Sequence, residues 1–197
     1  MTERSIYAGE TPNIVIRTGG DAVVKAWDSD RVLAESSSIW GLQVRRKEGK
    51  IEVQLGGSGQ VFVPAGSNIG VYAGKSAEIQ SVQGTISAFA GLDVRIHEGN
   101  LLAQAGAGRS MDIDCQTVVG KELRLNAGRD LRCWFRSLRD VRYLIDDLGG
   151  RWETVLGDGG TLIYLKAGGD VTLVTAGEVA GQPPDFILGK VERPQVD

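Results

Sequence analysis

The chain has 197 residues, of which 42% are apolar, and a formal net charge of -3 at pH 7. This length and composition suffice to bury a core in one large domain or two small ones, whereas the acidic balance excludes a general attraction of the whole molecule to nucleic acid. No stretch reaches the ~18 apolar residues of a membrane span, and no basic and apolar leader opens the chain, so we expect a cytoplasmic protein without a transmembrane segment.

Short alternating strands that end in turn residues fill the N-terminal third, as in NIVIRTGG, DAVVKAWDSD and KIEVQLGG. Successive side chains of a strand point to opposite faces, so each of these segments can bury one face. We expect residues 1–66 to form a β-rich N-terminal cap, sandwich-like or irregular, over the regular structure that follows. Such a cap would shield an open strand edge from pairing with other chains.

A repeat organises residues 67–178. Six segments share a small or apolar anchor, a glycine, a linker pair and an alternating triplet, and the anchors are spaced by 17, 17, 20, 21 and 19 residues. A second series of turn positions lies between them. The predicted fold class is therefore all-β, a β-solenoid or β-helix with rungs of about 17–21 residues, each with two strands and two corners. The anchors are Ala73, Ala90, Ala107, Ala127, Leu148 and Ala167.

The alternation within each repeat predicts which side chains face the core. Residues four and six beyond an anchor are predicted to point inward, and so are those two and four before it. Ile79, Ile96 and Ile113 should then stack on one another. Asp146 breaks the inward column, so either the register slips by one residue there or a buried carboxylate needs a partner. The full inward set beyond the anchors is Ala77, Val94, Met111, Leu131, Trp152 and Val171, then Ile79, Ile96, Ile113, Cys133, Thr154 and Leu173; the set before them includes Ala103, Ala105, Leu144 and Asp146.

Outward side chains between the two inward ones alternate in charge along the stack. Opposite charges on neighbouring strands favour one register over a slipped one, although each exposed pair is worth only ~0 to 1 kcal/mol. The residues are Glu78, Arg95, Asp112, Arg132, Glu153 and Thr172. The corner position three beyond each anchor is mostly Ser or Asp, whose side chains bond nearby backbone N–H groups; this is turn chemistry.

Three segments occur in the order VVKAWDSDRVLAES, KIEVQL and VFVPAGSNIGVYAG, and Gly-Asp-apolar-x-apolar units such as residues 169–173 follow them. In this order the chain resembles the bacterial adhesin-like "toastrack" repeat proteins and, more distantly, the bactofilins, over roughly residues 11–175. The resemblance implies a β-solenoid of mostly unassigned function, near envelope-stress or membrane-associated systems, or a filament-forming protein in the case of bactofilins. It carries over no catalytic residue.

Catalytic chemistry finds little support in the sequence. The single histidine, His97, falls on the outward side of a strand, so a histidine-based triad or metal site would have to be built around that residue. Cys115 and Cys133 fall in inward columns, where they act as small apolar residues. The adjacent acids Asp146 and Asp147 are explained by a corner or a slip. We predict no enzyme activity, no catalytic residue, no metal site and no cofactor.

An arginine-rich stretch with interleaved aromatics, residues 124–142, is the candidate binding site. Such a strip can hold phosphate backbones, single-stranded nucleic acid or anionic lipid headgroups. The alternative is that these arginines pair with nearby acids such as Glu122, Asp130 and Asp140. The candidate residues for an anion or a partner are Arg124, Arg129, Arg132, Arg136, Arg139, Arg142 and Trp134.

Two functions remain open from the sequence, with a polysaccharide-active enzyme as a distant third. The first is a structural scaffold that forms a homo-oligomer or polymer, or docks a protein partner, through its solenoid faces. The second is a binding module for nucleic acid or an anionic membrane surface through the arginine strip. Residues 179–197 leave the repeat, and their proline pair cannot continue a central strand, so we expect a C-terminal cap over the last rung.

Overall fold

The computed structural model describes residues 2–38, 41–138, 140–147, 150–156, 158–176 and 186–189. All regular secondary structure in these ranges is β-strand, so the all-β prediction is confirmed. The strands are β1 (Thr2–Tyr7), β2 (Asn13–Thr18), β3 (Ala22–Trp27), β4 (Arg31–Ser36), β5 (Gln43–Lys47), β6 (Lys50–Leu55), β7 (Gly59–Pro64), β8 (Asn68–Ala73), β9 (Ala77–Gln80), β10 (Thr85–Ala90), β11 (Val94–Ala107), β12 (Met111–Val118), β13 (Glu122–Ala127), β14 (Leu131–Phe135), β15 (Val141–Asp147), β16 (Gly150–Leu156), β17 (Thr161–Ala167), β18 (Val171–Ala176) and β19 (Phe186–Gly189).

The described strands form one sheet that is nearly closed and barrel-like around a single apolar interior. Its pairings run along two ladders joined by the long strand β11. The first ladder follows the order β5-β6-β2-β8-β10-β11-β13-β17-β15-β16. The second ladder follows the order β1-β4-β7-β3-β9-β11-β12-β14-β18-β19.

Strands in the middle of both ladders pair in parallel, and equivalent repeat positions lie side by side. Ile96 is in register with Ile79 on one side and with Ile113 on the other, and all three are fully buried. The predicted stacking of these residues is therefore confirmed. Each column removes apolar surface from water at about 25 cal/mol per Å², which is the main force that holds neighbouring strands together.

Antiparallel strands close both ends, and there the order along each ladder departs from chain order. In the first ladder β2 lies between β6 and β8, so residues 13–18 pair with residues 68–73 across the predicted boundary at residue 66. At the other end β17 lies between β13 and β15, and Ala127 pairs directly with Ala167. The segment Gly150–Leu156 forms a hairpin with β15 instead of a further parallel strand.

One predicted column position is corrected by this hairpin. Glu153 pairs opposite Leu144, so it does not stack on Arg132, whose neighbour is Thr172. The anchor Leu148 and the side chains of Trp152 and Thr154 lie outside the described residues.

The register slips by one residue in β15, which settles the anomaly at Asp146. Val141, Tyr143 and Ile145 point inward, so the predicted inward positions Leu144 and Asp146 are wrong. Half-buried Asp146 accepts a hydrogen bond from Tyr164 (3.1 Å) and lies 3.3 Å from the Lys166 ammonium, and both hold its pKa below the ordinary value. A second correction concerns β11: a register shift puts Leu102 in the column that we assigned to Ala103.

Tyr143 is fully buried, and its hydroxyl has no hydrogen-bond partner among the described residues. A buried hydroxyl without a partner costs about 1–3 kcal/mol, so Tyr143→Phe is expected to raise the free energy of unfolding by about 1 kcal/mol in urea titrations. The matched control is Tyr164→Phe, which removes the hydroxyl bonded to Asp146 and should lower stability slightly. A loss of stability for Tyr143→Phe would contradict the geometry.

Glycines stack on one another at the corner where the chain leaves a strand of the first ladder. A Cβ built on any of them would lie 2.1–2.4 Å from the carbonyl oxygen of the glycine at the preceding corner. Real Cβ atoms do not approach an oxygen so closely, so the backbones at this corner pack in direct contact. The glycines are Gly74, Gly91, Gly108, Gly128 and Gly168.

Of the predicted C-terminal cap, residues 179–197, the structure describes only residues 186–189. β19 pairs antiparallel with β18 and ends the second ladder, while residues 177–185 and 190–197 lie outside the described residues. Within the part of the chain that the structure covers, no helix has the length and apolar character needed to cross a bilayer.

Candidate functional site

The structure divides the predicted arginine strip between two faces. Arg124 lies on the first ladder, where its Nε is 2.6 Å from Oε1 of Glu122. Arg142 lies on the same ladder, and its Nε is 3.3 Å from Oε1 of Glu153. Both arginines are exposed and paired with an acid. Glu122 is one of the acids that the alternative interpretation named, whereas Glu153 is not.

Arg136 comes directly after β14, a strand of the second ladder, and its side chain contacts two partners. Its guanidinium pairs with the carboxylate of Asp114 and lies 4.8 Å from the centre of the Trp134 ring. Trp134 itself is half-buried beside Arg132. A further candidate, Arg139, lies outside the described residues. The strip is therefore not one continuous surface.

The remaining two candidates, Arg129 and Arg132, lie in a groove of about 730 Å³ on the outer face of the second ladder. The groove crosses four neighbouring strands, which bring in two arginines that were not among the predicted binding residues, Arg95 and Arg109. The sequence repeat could have identified Arg109 as a neighbour of Arg129, because each of the two arginines lies two residues beyond an anchor. Four acids also line the groove: Asp93, Asp112, Asp130 and Asp170.

Acids at the corner of the groove hold the backbone of the next strand. Asp93 accepts hydrogen bonds from Arg109 Nε (2.8 Å) and from the Ser110 N–H (3.3 Å). In the same way Asp130 accepts from the Asp170 N–H at 3.3 Å. The predicted turn chemistry is thus present, with the donated N–H supplied by the neighbouring corner. These two carboxylates support the fold, and Asp93 also holds the Arg109 side chain.

Asp93 makes the fold sensitive to acid. The hydrogen bond from Arg109 lowers the pKa of this buried carboxyl, so its contribution to stability is present above the ordinary aspartate pKa and is lost as pH falls through the lower folded-state value. Asp93→Asn is expected to cost about 1–2 kcal/mol at pH 7, and the variant should lose less stability than the wild type between about pH 4 and pH 2.

Thermal melts of Asp93→Asn at several pH values measure this effect. The control is Asp170→Asn, because the exposed Asp170 carboxylate accepts no hydrogen bond within the described ranges. Parallel pH profiles for wild type and Asp93→Asn would show that the pairing with Arg109 does not stabilise the fold.

Three groove arginines remain available to a ligand. The side chains of Arg95, Arg129 and Arg132 are exposed and form no ion pair or hydrogen bond within the described residues. Guanidinium groups present planar sets of donors that match carboxylate and phosphate oxygens. The groove can therefore bind anionic groups, or acidic side chains of another protein.

In the part of the chain that the structure describes, no side chains are arranged for nucleophilic or metal chemistry. Cys115 and Cys133 are buried, and burial raises the pKa of both thiols, to about 12 for Cys115. His97 is exposed on its strand, as predicted. Among the described residues no group of histidine, cysteine and acidic side chains is arranged to hold a metal ion.

Comparison with known proteins gives one distant structural likeness. No family model matches the chain, and no curated protein matches its sequence. A distant structural neighbour is a candidate cell adhesion protein from Clostridium sporogenes, at 9% sequence identity and a TM-score of 0.37. This match covers 88% of the chain described here and 97% of the other chain. The resemblance to toastrack proteins and bactofilins stays a prediction.

Proposed function

We propose that the protein is a cytoplasmic β-solenoid that works as a non-enzymatic scaffold and docks a partner, or another copy of itself, through an outer strand face. The observation that carries the proposal is the exposed face of the second ladder. There the outward repeat position is charged on four consecutive strands, β9, β11, β12 and β14, and it forms no ion pair within the described residues. The parallel registers support the solenoid, because the same repeat position recurs on each neighbouring strand. The resemblance of the sequence to toastrack proteins is consistent with a non-enzymatic β-solenoid.

Docking through a face is favoured over growth from the ends. An edge strand offers unpaired backbone groups to other chains, and charged side chains on it oppose such pairing. One edge of the first ladder, β5, exposes Arg45, Arg46 and Lys47, and the other, β16, exposes Arg151 and Glu153. We therefore expect lateral assembly and not a filament built end to end.

Sedimentation velocity of the purified protein over a wide concentration range tests the scaffold, together with negative-stain electron microscopy. Concentration-dependent association, or stoichiometric capture of one partner through the second ladder, would support it. A protein that stays monomeric at all concentrations and retains no partner would refute it, and long single-file filaments would refute the lateral mode.

A second candidate function is binding of an anionic polymer in the groove. The observation in its favour is that the fold gathers Arg95, Arg109, Arg129 and Arg132 from neighbouring strands into one groove. Binding would release counterions, so affinity should fall steeply with salt. Fluorescence anisotropy with a labelled single-stranded oligonucleotide, and flotation with anionic vesicles, separate the two kinds of ligand.

A charge-reversal pair makes this test specific. Arg129→Glu/Arg132→Glu should reduce oligonucleotide affinity at least about 10-fold at low salt. The control, Arg124→Glu/Arg142→Glu, changes the net charge equally on the opposite ladder and should leave binding nearly unchanged. Equal losses in both variants would indicate a non-specific charge effect and remove this candidate.

A further inference from the structure

An alternating row of charges crosses the second ladder. Glu78, Arg95, Asp112 and Arg132 are in register on four consecutive strands, with their side chains on the outer face. Arg95 and Arg132 are exposed, Glu78 and Asp112 are partly exposed, and none of the four forms an ion pair in the described part of the chain. We call these four residues the charge row.

The charge row is complementary to its own reverse. Read along the stack its signs are minus, plus, minus, plus, and read backwards they are plus, minus, plus, minus. Two copies can therefore meet face to face about a two-fold axis that is parallel to the strands and passes between Arg95 and Asp112. Every residue of the row then faces an opposite charge: Glu78 faces Arg132 of the other copy, and Arg95 faces Asp112.

Other two-fold arrangements of the same face are unfavourable. An axis along the stacking direction would keep the order of the strands and place Arg95 against Arg95 of the second copy. Like charges that meet across an interface cost several kcal/mol, so the row selects one arrangement. Just beyond the row, Val23 and Thr172 are in register on the flanking strands and would face each other, which ends the row in small side chains without charge.

We propose that the protein forms an isologous dimer through this face, with the two charge rows antiparallel. The inference rests on the proposed scaffold function and names the partner as a second copy of the chain. Two neighbouring positions oppose it, both at the corner, on the rim of the face. Lys75 and Arg129 of two copies would approach each other, and so would Asp21 and Asp170 just before the flanking strands.

The size of the face sets the strength of the dimer. Seven strands of the second ladder, from β7 to β18, at about 4.8 Å spacing and with about five residues each, give a face of roughly 600 Å² per copy. This is near the lower end for specific interfaces, and the contacts are mostly charged. The dimer should therefore be weak and should dissociate as salt is raised.

Two variants that fail alone but succeed together provide the test. Arg95→Asp places two like-charged pairs in its own dimer, since the new carboxylate of each copy would face Asp112 of the other. Asp112→Arg does the same with positive charges. Each variant alone should raise the dissociation constant of the dimer at least about 10-fold. In a mixture of the two, every position of the row again faces an opposite charge, so the heterodimer should form with nearly wild-type affinity.

Sedimentation equilibrium at low salt measures self-association, and native mass spectrometry with one isotope-labelled variant identifies the heterodimer. Thermal melts establish that each variant is folded, and Arg124→Asp on the first ladder is the control that should still dimerise. Recovery of the dimer in the mixture supports the proposal. A wild-type dimer that neither variant weakens overturns the two-fold face while self-assembly stands. A wild-type protein that stays monomeric overturns the dimer, and the scaffold function then depends on capture of a different partner.

Discussion

Replacing Gly108 with alanine is expected to destabilise the fold by about 3 kcal/mol, because the new methyl group has no space. A Cβ at this position would lie 2.1 Å from the carbonyl oxygen of Gly91 and 3.0 Å from its carbonyl carbon. Both atoms belong to the backbone of the neighbouring corner, so no side chain can rotate away to relieve the contact. The two corners would have to separate, which weakens the parallel pairing on both sides of the bend.

Gly19→Ala is the matched control for Gly108→Ala. Gly19 is also a corner glycine, but a Cβ there meets no atom within 4 Å, and its backbone lies outside the left-handed region. Its substitution should change stability by no more than about 0.5 kcal/mol, and urea unfolding of both variants compares them directly. Gly91→Ala, with a 2.3 Å approach to the Gly74 oxygen, should behave like Gly108→Ala. Equal stability of the two corner types would mean that the backbones are not in contact.

The repeated part of the fold was predictable from the sequence, because the burial pattern of a strand is visible as alternation of apolar and polar residues. Apolar residues at alternate positions identify the inward columns, and a recurring glycine identifies the corner where no Cβ fits. Ile79, Ile96 and Ile113 follow both signals, and their stacking was predictable from them. The slip at Asp146 was one of two explanations that the sequence offered, since a carboxylate in an apolar column indicates either a change of register or a buried acid with a partner.

The order of strands at the ends could not be predicted. Alternation determines which face of a strand is buried, but it does not determine which neighbour the strand pairs with. β2 follows the same pattern as β6 and β8, so nothing local places it between them. The hairpin β15–β16 replaces a regular repeat near Leu148, where the spacing suggested another parallel strand. Whether this segment forms a hairpin or a parallel strand depends on the relative stability of complete strand pairings. These pairings involve residues that are far apart in the sequence.

The candidate site was predictable only in part, for a related reason. A run of arginines along the chain is distributed over two ladders, so Arg124 and Arg142 face away from Arg129 and Arg132. On stacked parallel strands, a binding surface consists of side chains from neighbouring strands. These side chains occupy the same position in successive repeats. The outward position of successive repeats therefore brings Arg95 and Arg132 onto one face, and this grouping follows from the repeat spacing alone.

Ile96→Ala is the second substitution expected to have a large effect. Ile96 is fully buried between Ile79 and Ile113 in the middle of the second ladder. Removal of its side chain loses transfer free energy and leaves a cavity, because the closely packed neighbours can relax only partly. The expected loss is about 3–4 kcal/mol, within the range seen for buried isoleucine.

The neighbouring position on the same strand supplies the control for Ile96→Ala. Arg95 precedes Ile96 but points outward, so Arg95→Ala should change stability by less than about 0.5 kcal/mol. Ile96→Val, which removes a single methyl group, should cost about 1 kcal/mol and separate a packing effect from a general defect. Urea titrations of the three variants yield the ordering Ile96→Ala, Ile96→Val, Arg95→Ala from the largest loss to the smallest. If Arg95→Ala were as damaging as Ile96→Ala, the two faces of this strand would not differ in burial, and the stack of inward columns would be wrong.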